Sequence, residues 1–399
     1  MTKSKNMDDL LLNVAFIGGG IDSAVGSAHF AAIELDKKFR VVAGCFGRTK
    51  DINLASGDWH RIAPERIYPS PEALLAAERD RIDAVVILTP TDQHFLHARL
   101  FLEKGVPVIC EKALTSTIAE SQDLLELVYR MSGFLSVIFN YTGYPILREV
   151  KDFIRIGKLG RIHQINVEMP QEGFLRVDKD MKPISIQDWR LRSDVEIPVV
   201  SLDLGVHLHS IIAFLTGEKP LSAVAHSRSY GHFEGIEDNV LALIEYTNKL
   251  DVKMWYGKTS LGFRNGLRVE VFGALGAISW VQENPEIFTF SDGFGSKRTY
   301  DRGCIELSIS RQDRYQRFKA GHPAGFIEAL ANYYWDIAIA LREHQETGKA
   351  RFFPEAEVFH AGHALEGMQL MKAIHTSSKE RRWVDVPAVC RKLSTQQGE

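Results

Sequence analysis

The chain has 399 residues, which predicts two or three domains at about 150 residues each. Hydrophobic residues make up 45% and charged residues 25% of the chain, a composition that excludes a collagen-like or wholly disordered protein. Basic residues number 48 and acidic residues 51, which gives a net charge of -3. Because this balance lacks a basic field, we expect neither nucleic acid nor an anionic membrane as the main partner.

The cysteines and the N-terminus indicate a cytoplasmic protein. The four cysteines lie far apart without a CxxC pair, so neither a zinc ribbon nor a dithiol redox motif is indicated. No apolar stretch reaches the ~18–20 residues of a membrane span. Residues 1–11 are interpreted as a polar extension, because Asp8 and Asp9 interrupt a segment that otherwise resembles a secretion signal.

Short apolar runs alternate with helical patterns over the first third of the chain. The runs are rich in Val and Ile and lack polar alternation, which is typical of strands buried in a parallel sheet. They lie at 13–18, 40–46, 83–89, 106–110 and 133–139, and helical patterns separate them at 27–35, 70–80, 93–105 and 117–131. This order predicts a doubly wound α/β domain over residues 12–142.

The pattern changes in the second part of the chain. A helix at 145–157 and a strand at 161–169 precede runs between about 220 and 310 that suit an antiparallel sheet, with a hairpin closed at Leu275 and Gly276. Two long helices are predicted at roughly 323–345 and 355–377. We therefore expect an α+β domain over 143–385, whose last helices pack back on the first domain, and a polar tail over 386–399.

A glycine-rich turn follows the first predicted strand. Gly18, Gly19 and Gly20 come directly after the strand, and Gly26 lies in the next helix. The spacing departs from G-x-G-x-x-G, because Ser23 occupies the third glycine position. A purely structural loop is the alternative, but the place between strand and helix favours a site for the pyrophosphate of a dinucleotide.

The end of the second strand bears on the choice of dinucleotide. Phe46 stands where an acidic residue holds the ribose 2′-hydroxyl of NAD. Arg48 follows, and its guanidinium can pair with the 2′-phosphate of NADP; the alternative is a solvated loop charge. This chemistry favours NADP and leaves NAD open.

Two further strand ends carry polar residues. Thr89 and Pro90 end one buried strand and are followed by His94, while Glu111 and Lys112 end the next. Ligands bind at the carboxyl edge of such sheets. Lys112 is thus placed to donate a charged hydrogen bond to a substrate oxygen, with an ion pair to Glu111 as the structural alternative.

The segment 201–217 predicts a helix with Asp203 and His207 on one face. Histidine suits proton transfer near neutral pH, and an adjacent carboxylate orients it or binds a substrate hydroxyl. A purely structural contact between the two is the alternative. No third ligand stands at a metal-site spacing, so no metal is predicted.

These motifs together resemble one family. The residues GGG at 18–20, TPxxxH at 89–94, CEKALTST at 110–117 and DxGxH at 203–207 occur in the order found in the Gfo/Idh/MocA oxidoreductases. Shorter segments at 139–145, 157–162 and 188–190 add to the likeness, which covers roughly residues 12–380. Two departures are Ala113, where the family usually has proline, and PVVS at 198–201, where a glycine pair is common.

The resemblance implies a Rossmann domain followed by a domain with an open, mainly antiparallel sheet. It implies oxidation of a secondary alcohol of a sugar or cyclitol, or the reverse, with NAD or NADP. Lys112 would touch the substrate hydroxyl and the nicotinamide, His207 would transfer the proton, and Asp203 would hold a hydroxyl and the imidazole. The cofactor-binding set is then Gly18, Gly19, Gly20, Ile21, Arg48, Thr89, Pro90, His94, Glu111 and Lys112.

The residues predicted to bind the substrate are aromatic or basic. The rings of Tyr141, Tyr144 and Trp189 can stack on a sugar face. The guanidinium of Arg190 can form paired hydrogen bonds to hydroxyls or a carboxylate. A core or surface role is the alternative for each of the four. The near-neutral net charge favours an uncharged polyol.

Other functions and the assembly stay open at this point. The resemblance implies a homo-oligomer, a dimer or tetramer, because an open sheet leaves a face to be covered. Alternative functions are an enzyme that keeps NAD bound for hydrolysis or epimerisation, a dinucleotide sensor, and a binding protein with a decayed site. The last is disfavoured because Lys112, Asp203 and His207 are all present.

Overall fold

The computed structural model of the protein describes residues 11–23 and 25–389. Nearly all of the predicted N-terminal extension, and residues 390–399 of the predicted tail, lie outside the described residues. Within the described part, no helix is both long enough and apolar enough to cross a membrane.

The first sheet contains six strands in the order β14-β5-β4-β3-β1-β2, in which β14 is the short strand Phe359–His360. Its five parallel strands are β1 (Leu12–Gly18), β2 (Phe39–Cys45), β3 (Ala84–Leu88), β4 (Val108–Glu111) and β5 (Leu135–Ile138). The helices of this half are α1 (Gly26–Leu35), α2 (Lys50–Trp59), α3 (Pro71–Glu78), α4 (Thr91–Leu102) and α5 (Ile118–Met131). The predicted doubly wound α/β fold is confirmed.

The second sheet contains nine strands in the order β13-β12-β11-β10-β6-β9-β8-β7-β15. Only the β6–β9 pair is parallel among the described strands of this sheet. The strands are β6 (Ile162–Pro170), β7 (Pro220–Arg228), β8 (Asn239–Tyr246), β9 (Leu250–Gly257), β10 (Arg268–Gly273), β11 (Gly276–Val281), β12 (Ile287–Asp292), β13 (Lys297–Asp301) and β15 (Val384–Asp385). The mainly antiparallel sheet and the β10–β11 hairpin are both confirmed.

Two long C-terminal helices, α8 (Phe326–Thr347) and α9 (Ala361–Glu380), connect the halves. Helix α8 packs on α1, and α9 packs on both α5 and β7. Strand β14 (Phe359–His360) pairs antiparallel with β5 at the edge of the first sheet. Because these two residues form a strand, α9 begins six residues later than the predicted start at 355.

The segment predicted as one helix over 201–217 is divided. Residues Ser201–Gly205 form a π-helical turn, and α7 (Val206–Thr216) follows it. A Cβ at Gly205 would lie 2.2 Å from the sulfur of Met371, so α9 packs directly against this turn. The helix α6 (Pro145–Arg155) packs on α7 from the other direction. These contacts hold the turn in place beside the strand ends of the first sheet.

Candidate active site

The glycine-rich turn brings three backbone segments together. Gly18 and Gly19 adopt φ of +79° and +73°, a region that L-residues rarely occupy. A Cβ at Gly18 would lie 2.9 Å from the carbonyl carbon of Leu88, and one at Gly26 would lie 2.2 Å from the oxygen of Gly19. The unusual spacing therefore has a physical reason, because Gly26 rather than residue 23 is where α1 crosses the turn.

The turn and the start of α1 fit the pyrophosphate of a dinucleotide. Val25 at the N-cap contributes no side-chain hydrogen bond, and the first turn of α1 contains no acidic residue. Ser23 Oγ accepts the N–H groups of Gly26 at 3.1 Å and Val25 at 3.4 Å. The N–H groups that follow in the first turn of α1 are therefore the ones that can bind an anion, helped by the helix dipole. Gly20 lies beside the end of β2, since its Cβ would meet the oxygen of Phe46 at 2.8 Å. Ile21 donates its N–H to Ser56 Oγ at 3.1 Å and exposes half of its side chain.

The end of β2 offers a basic rather than an acidic residue. Phe46 is buried, and its N–H donates to Asn53 Oδ1 at 2.7 Å. Arg48 is exposed and forms no ion pair with another residue in the described ranges. A side chain in this position is accessible to a ligand that lies along the turn.

His94 joins the loops after β3 and β4. It is 1% exposed, and its two ring nitrogens each lie 2.8 Å from a backbone oxygen, those of Ala113 and Thr89. The peptide bond between Lys112 and Ala113 is cis. His94 is a positioning residue for the two loops, whereas Thr89 is partly exposed and Pro90 is exposed.

Glu111 takes part in a chain of buried polar groups that the sequence did not reveal. Its Oε1 lies 3.0 Å from Nε2 of His29, and Nδ1 of His29 lies 2.8 Å from the hydroxyl of Tyr334. Its other oxygen accepts the N–H of Lys112 at 3.0 Å. Burial raises the pKa of Glu111, but His29 and Lys112 outweigh burial and lower it. Glu111 is therefore an ionised group that fixes the loop carrying Lys112.

The side chain of Lys112 contacts Asp203. Its Nζ donates to Oδ1 of Asp203 at 2.9 Å and to the backbone oxygen of the same residue at 2.8 Å. An ion pair between Lys112 and Glu111, the structural alternative, is not found among the described residues. The predicted association of these two distant motifs is thus present in the structure.

Asp203 binds two further cations. Arg190 Nη1 lies 2.5 Å and Lys258 Nζ 2.7 Å from its Oδ2. Burial raises the pKa of Asp203, but Lys112, Lys258 and Arg190 outweigh burial and hold it well below its usual range. The predicted contact of Asp203 with the imidazole of His207 is not found among the described residues, since three cations occupy both carboxylate oxygens.

Lys258 was missed by the sequence analysis. It directly follows β9, so it stands at a strand end as Lys112 does, and that position was the available signal. Its ammonium also lies 3.3 Å from Oε1 of Gln171 and 5.7 Å from the ring centre of Phe174. With 9% of its surface exposed, it is a buried cation rather than a solvated one.

His207 is buried without a hydrogen bond from its ring to another described residue, and its Nδ1 has no partner. The rings of Tyr141 and Phe139 meet it edge-on, with centroids at 4.8 and 6.1 Å. Burial lowers its pKa well below the usual 6.5, the charge of Lys112 adds to this, and Asp203 opposes it. The imidazole is therefore neutral at pH 7 and able to accept a proton.

A cavity of about 160 Å³ connects these groups. Lys112, Asp203, His207 and Tyr141 line it, together with Asn140, whose Nδ2 is buried without a partner. Asn140 is a second group that the sequence analysis missed, although it lies within the motif at 139–145. Its free amide donor is available to a ligand in the cavity.

The four predicted substrate residues divide into two groups. Tyr141 lines the cavity, and Arg190 reaches the site through its contact with Asp203. Tyr144 is buried behind Tyr141 and accepts a hydrogen bond from Gln282 at 2.9 Å, while burial raises its pKa to about 12. Trp189 lies in a surface turn with the guanidinium of Arg190 4.5 Å from its ring centre, so it contacts the site through Arg190.

Comparison with known proteins agrees with this geometry. Residues 12–139 match the family described as "Oxidoreductase family, NAD-binding Rossmann fold", and residues 147–279 match the GFO/IDH/MocA C-terminal domain. The uncharacterized oxidoreductase YfiI of Bacillus subtilis is 28% identical over 391 residues, covering 94% of this chain and 96% of that protein. Levoglucosan dehydrogenase of Pseudarthrobacter phenanthrenivorans is 25% identical, covering 95% and 99% of the two chains.

A solved structure of a relative also has a similar fold. An inositol dehydrogenase homologue from Azotobacter vinelandii, complexed with NADH and myo-inositol, superposes with a TM-score of 0.84 at 25% identity. The match covers 94% of this chain and 97% of the other. The two family matches together cover more than half of the chain, and the predicted resemblance is confirmed: the chain belongs to the Gfo/Idh/MocA family of oxidoreductases.

Proposed function

We propose that the protein is an NAD(P)-dependent dehydrogenase or reductase for a secondary alcohol of a sugar, sugar derivative or cyclitol. The observation that carries this proposal is His207, a neutral buried imidazole with an unpartnered nitrogen, beside the ammonium of Lys112 in one cavity. A base and a cation at one oxygen are what alcohol oxidation requires. The names of the relatives, with levoglucosan and myo-inositol among their ligands, support the same substrate class.

Each residue has a defined role in the proposal. His207 accepts the hydroxyl proton in the oxidation and returns it in the reduction. Lys112 donates a hydrogen bond to the same oxygen and stabilises the negative charge that develops there. Asp203 positions Lys112 by accepting from its ammonium. Bound nicotinamide supplies the hydride acceptor or donor.

The proposed cofactor preference is NADP over NAD. Phe46 offers no carboxylate to a ribose 2′-hydroxyl, and the exposed guanidinium of Arg48 can bind a 2′-phosphate. The residues that would hold the rest of the dinucleotide are Gly18, Gly19, Gly20 and Ile21 at the turn, Thr89 and Pro90 after β3, and Glu111 and Lys112 after β4. His94 supports them by fixing the two loops.

The experiment is a panel of sugars and cyclitols assayed with NAD and with NADP, following absorbance at about 340 nm. We expect nicotinamide reduction with at least one member, and loss of that signal in His207→Asn. Absence of reduction in every pairing, together with NAD(P) retained through purification, would contradict a dehydrogenase and favour the alternative in which a bound cofactor is recycled.

We further propose a homo-oligomer, a dimer or tetramer, formed through the open face of the nine-stranded sheet. On β8 the residues alternate between buried and exposed, and Leu241 and Leu243 expose 46% and 54% of their surface on the outer side. Apolar residues on an open sheet face favour burial against a second copy. Light scattering should give a multiple of the chain mass, reduced by Leu243→Lys; a wild-type monomer would contradict the proposal.

A further inference from the structure

Positive charges outnumber negative charges around Asp203. One carboxylate accepts contacts from Lys112, Arg190 and Lys258, all within 2.9 Å. For each of the three cations, Asp203 is the one ion-pair partner among the residues that the structure describes. The cluster therefore carries an excess of positive charge. We refer to these four residues as the Asp203 cluster.

Other acidic groups near the cavity compensate for this excess only in part. Glu111 is engaged with His29 at 3.0 Å. Glu172 accepts from Arg264 at 2.9 Å and from the N–H of Gly262 at 3.0 Å. His207 is neutral, so it contributes no charge of either sign. Three cations therefore face two carboxylates, those of Asp203 and the ionised Glu111, and an excess of positive charge remains.

Solvent screens this excess only in part. The side chains of Lys112, Lys258 and Arg190 expose 15%, 11% and 24% of their surface. Buried cations are costly unless an anion pairs with them. Burial lowers the pKa of Lys258, Asp203 raises it, and the charges of Arg190 and Lys112 lower it further. A second anion in the cluster would relieve this repulsion.

The phosphates of a dinucleotide are not positioned to provide that anion. The glycine-rich turn follows β1, and β3 lies between β1 and β4, so the turn and Lys112 are separated by about 10 Å along the sheet. Lys258 and Arg190 contact Oδ2 of Asp203, whereas Lys112 contacts Oδ1. An oxidised nicotinamide beside Lys112 adds positive charge instead.

We propose that the substrate carries a negatively charged oxyanion, a carboxylate or phosphate, which Lys258 and Arg190 bind while His207 and Lys112 act on its hydroxyl. This inference rests on the proposed function for the hydroxyl and names the substrate class more closely. It differs from the uncharged polyol that the net charge of the chain favours, because local charge rather than net charge determines what a cavity binds. Lys258 and Arg190 are then the specificity-determining residues.

The test compares matched probes in binding and in turnover. D-Glucose, D-glucuronate and D-glucose 6-phosphate share a ring and differ in charge at one carbon. Binding of each is measured by isothermal titration calorimetry, with and without NADP, and turnover by absorbance at about 340 nm. We expect one of the anions to bind about tenfold or more tightly than glucose. Whichever anion binds more tightly identifies the oxyanion.

Variants distinguish substrate binding from a structural role of the cluster. Lys258→Met removes the charge at similar length, and Lys253→Met, on the exposed side of the strand β9 that precedes Lys258, is the matched control. We expect the anion preference to disappear in Lys258→Met and to persist in Lys253→Met. If Lys258→Met does not fold, Lys258→Gln and the wild-type panel still decide the question.

The outcomes separate the two proposals. Equal affinity of the wild-type protein for glucose and both anions, or no binding of any, overturns the inference. Turnover of a neutral sugar without any preference for the anions overturns the inference and leaves the dehydrogenase proposal intact. Tight binding of an anion that depends on Lys258, with no nicotinamide reduction, supports the inference and contradicts the dehydrogenase.

Discussion

Two histidines on α7, His207 and His209, have opposite surroundings although two residues separate them. His207 faces the cavity with Nδ1 unpartnered, and burial together with Lys112 lowers its pKa. His209 points toward the second sheet, where Nδ1 lies 3.1 Å from the hydroxyl of Tyr246 and Nε2 lies 3.2 Å from Oε1 of Glu366. A buried histidine is available for chemistry when the protein leaves its ring without a partner.

The same contrast holds for the charges around each histidine. Glu366 has Lys219 at 2.9 Å as well as His209, and it is held ionised with a pKa lowered to about 2, as the histidine and the lysine outweigh burial. This second cluster satisfies its own charges, whereas the Asp203 cluster has an excess of cations. A buried network whose positive and negative charges balance stabilises the fold, whereas a network with an excess of one charge can bind a ligand of the opposite charge.

The first prediction compares the loss of each histidine. His207→Asn should lower kcat by about 10²- to 10⁴-fold with little change in thermal stability, since it removes the base. His209→Asn should lower the melting temperature and retain kcat within a few-fold, because the pair with Glu366 lies outside the cavity. Steady-state assays and thermal denaturation of both variants check this. Similar losses of kcat in both would break the comparison.

The second prediction concerns Lys112. Lys112→Met keeps the length of the side chain and removes its charge, so kcat should fall by about 10²- to 10³-fold through loss of stabilisation of the alkoxide. The matched control is Lys219→Met, which removes the cation of the balanced cluster and should affect stability rather than kcat. A near wild-type kcat in Lys112→Met would show that the cation is not required.

The third prediction concerns acid stability near the balanced cluster. Burial lowers the pKa of His363 to about 3, and the charges of His360 and Lys219 add to this. Below pH ~6.5 the unfolded chain takes up a proton that the folded chain does not, so stability falls as pH decreases toward 3. His363→Phe should reduce the slope of unfolding free energy against pH by about 1.4 kcal/mol per unit between pH ~4 and ~6.

Urea unfolding at several pH values measures that slope. The control is His163→Phe, which makes the same substitution at an exposed histidine on β6. An unchanged slope in His363→Phe would mean that this histidine takes up its proton in the folded state as readily as in the unfolded one.

The fourth prediction, with the smallest effect, concerns Arg48. Arg48→Ala should lower the ratio of kcat/KM for NADP to that for NAD by about tenfold, the value of one charged contact to phosphate. The control is Arg161→Ala, an exposed arginine of the second domain. If the ratio of kcat/KM for NADP to that for NAD were equal in wild type and Arg48→Ala, Arg48 would be a solvated surface charge and other groups would determine the cofactor preference.

The sequence predicted those parts of the site that follow local rules. Lys112 and the glycine turn stand at strand ends that apolar runs reveal, and His207 stands on a helix that periodicity reveals. These rules depend on neighbouring residues only, so they hold before the fold is known. The strand-and-helix order of the first domain follows from the same signals.

The parts that were missed depend on distant contacts. Lys258 meets Asp203 across 55 positions, and His29 meets Glu111 across an even longer interval, so no local pattern joins them. The short strand β14 exists because β5 offers an open edge. The π-helical turn before α7 depends on packing against Met371. Tertiary contacts, rather than propensity, determine each of these features.

The most direct test of the account is the pH dependence of kcat/KM for alcohol oxidation by the wild-type enzyme. Because His207 is buried without a partner and its pKa is lowered, the base stays neutral on moderate acidification. We predict that kcat/KM remains level from about pH 8 down to about pH 6. A decline with an apparent pKa near 6.5, abolished in His207→Asn, would show a normally titrating imidazole and contradict the account.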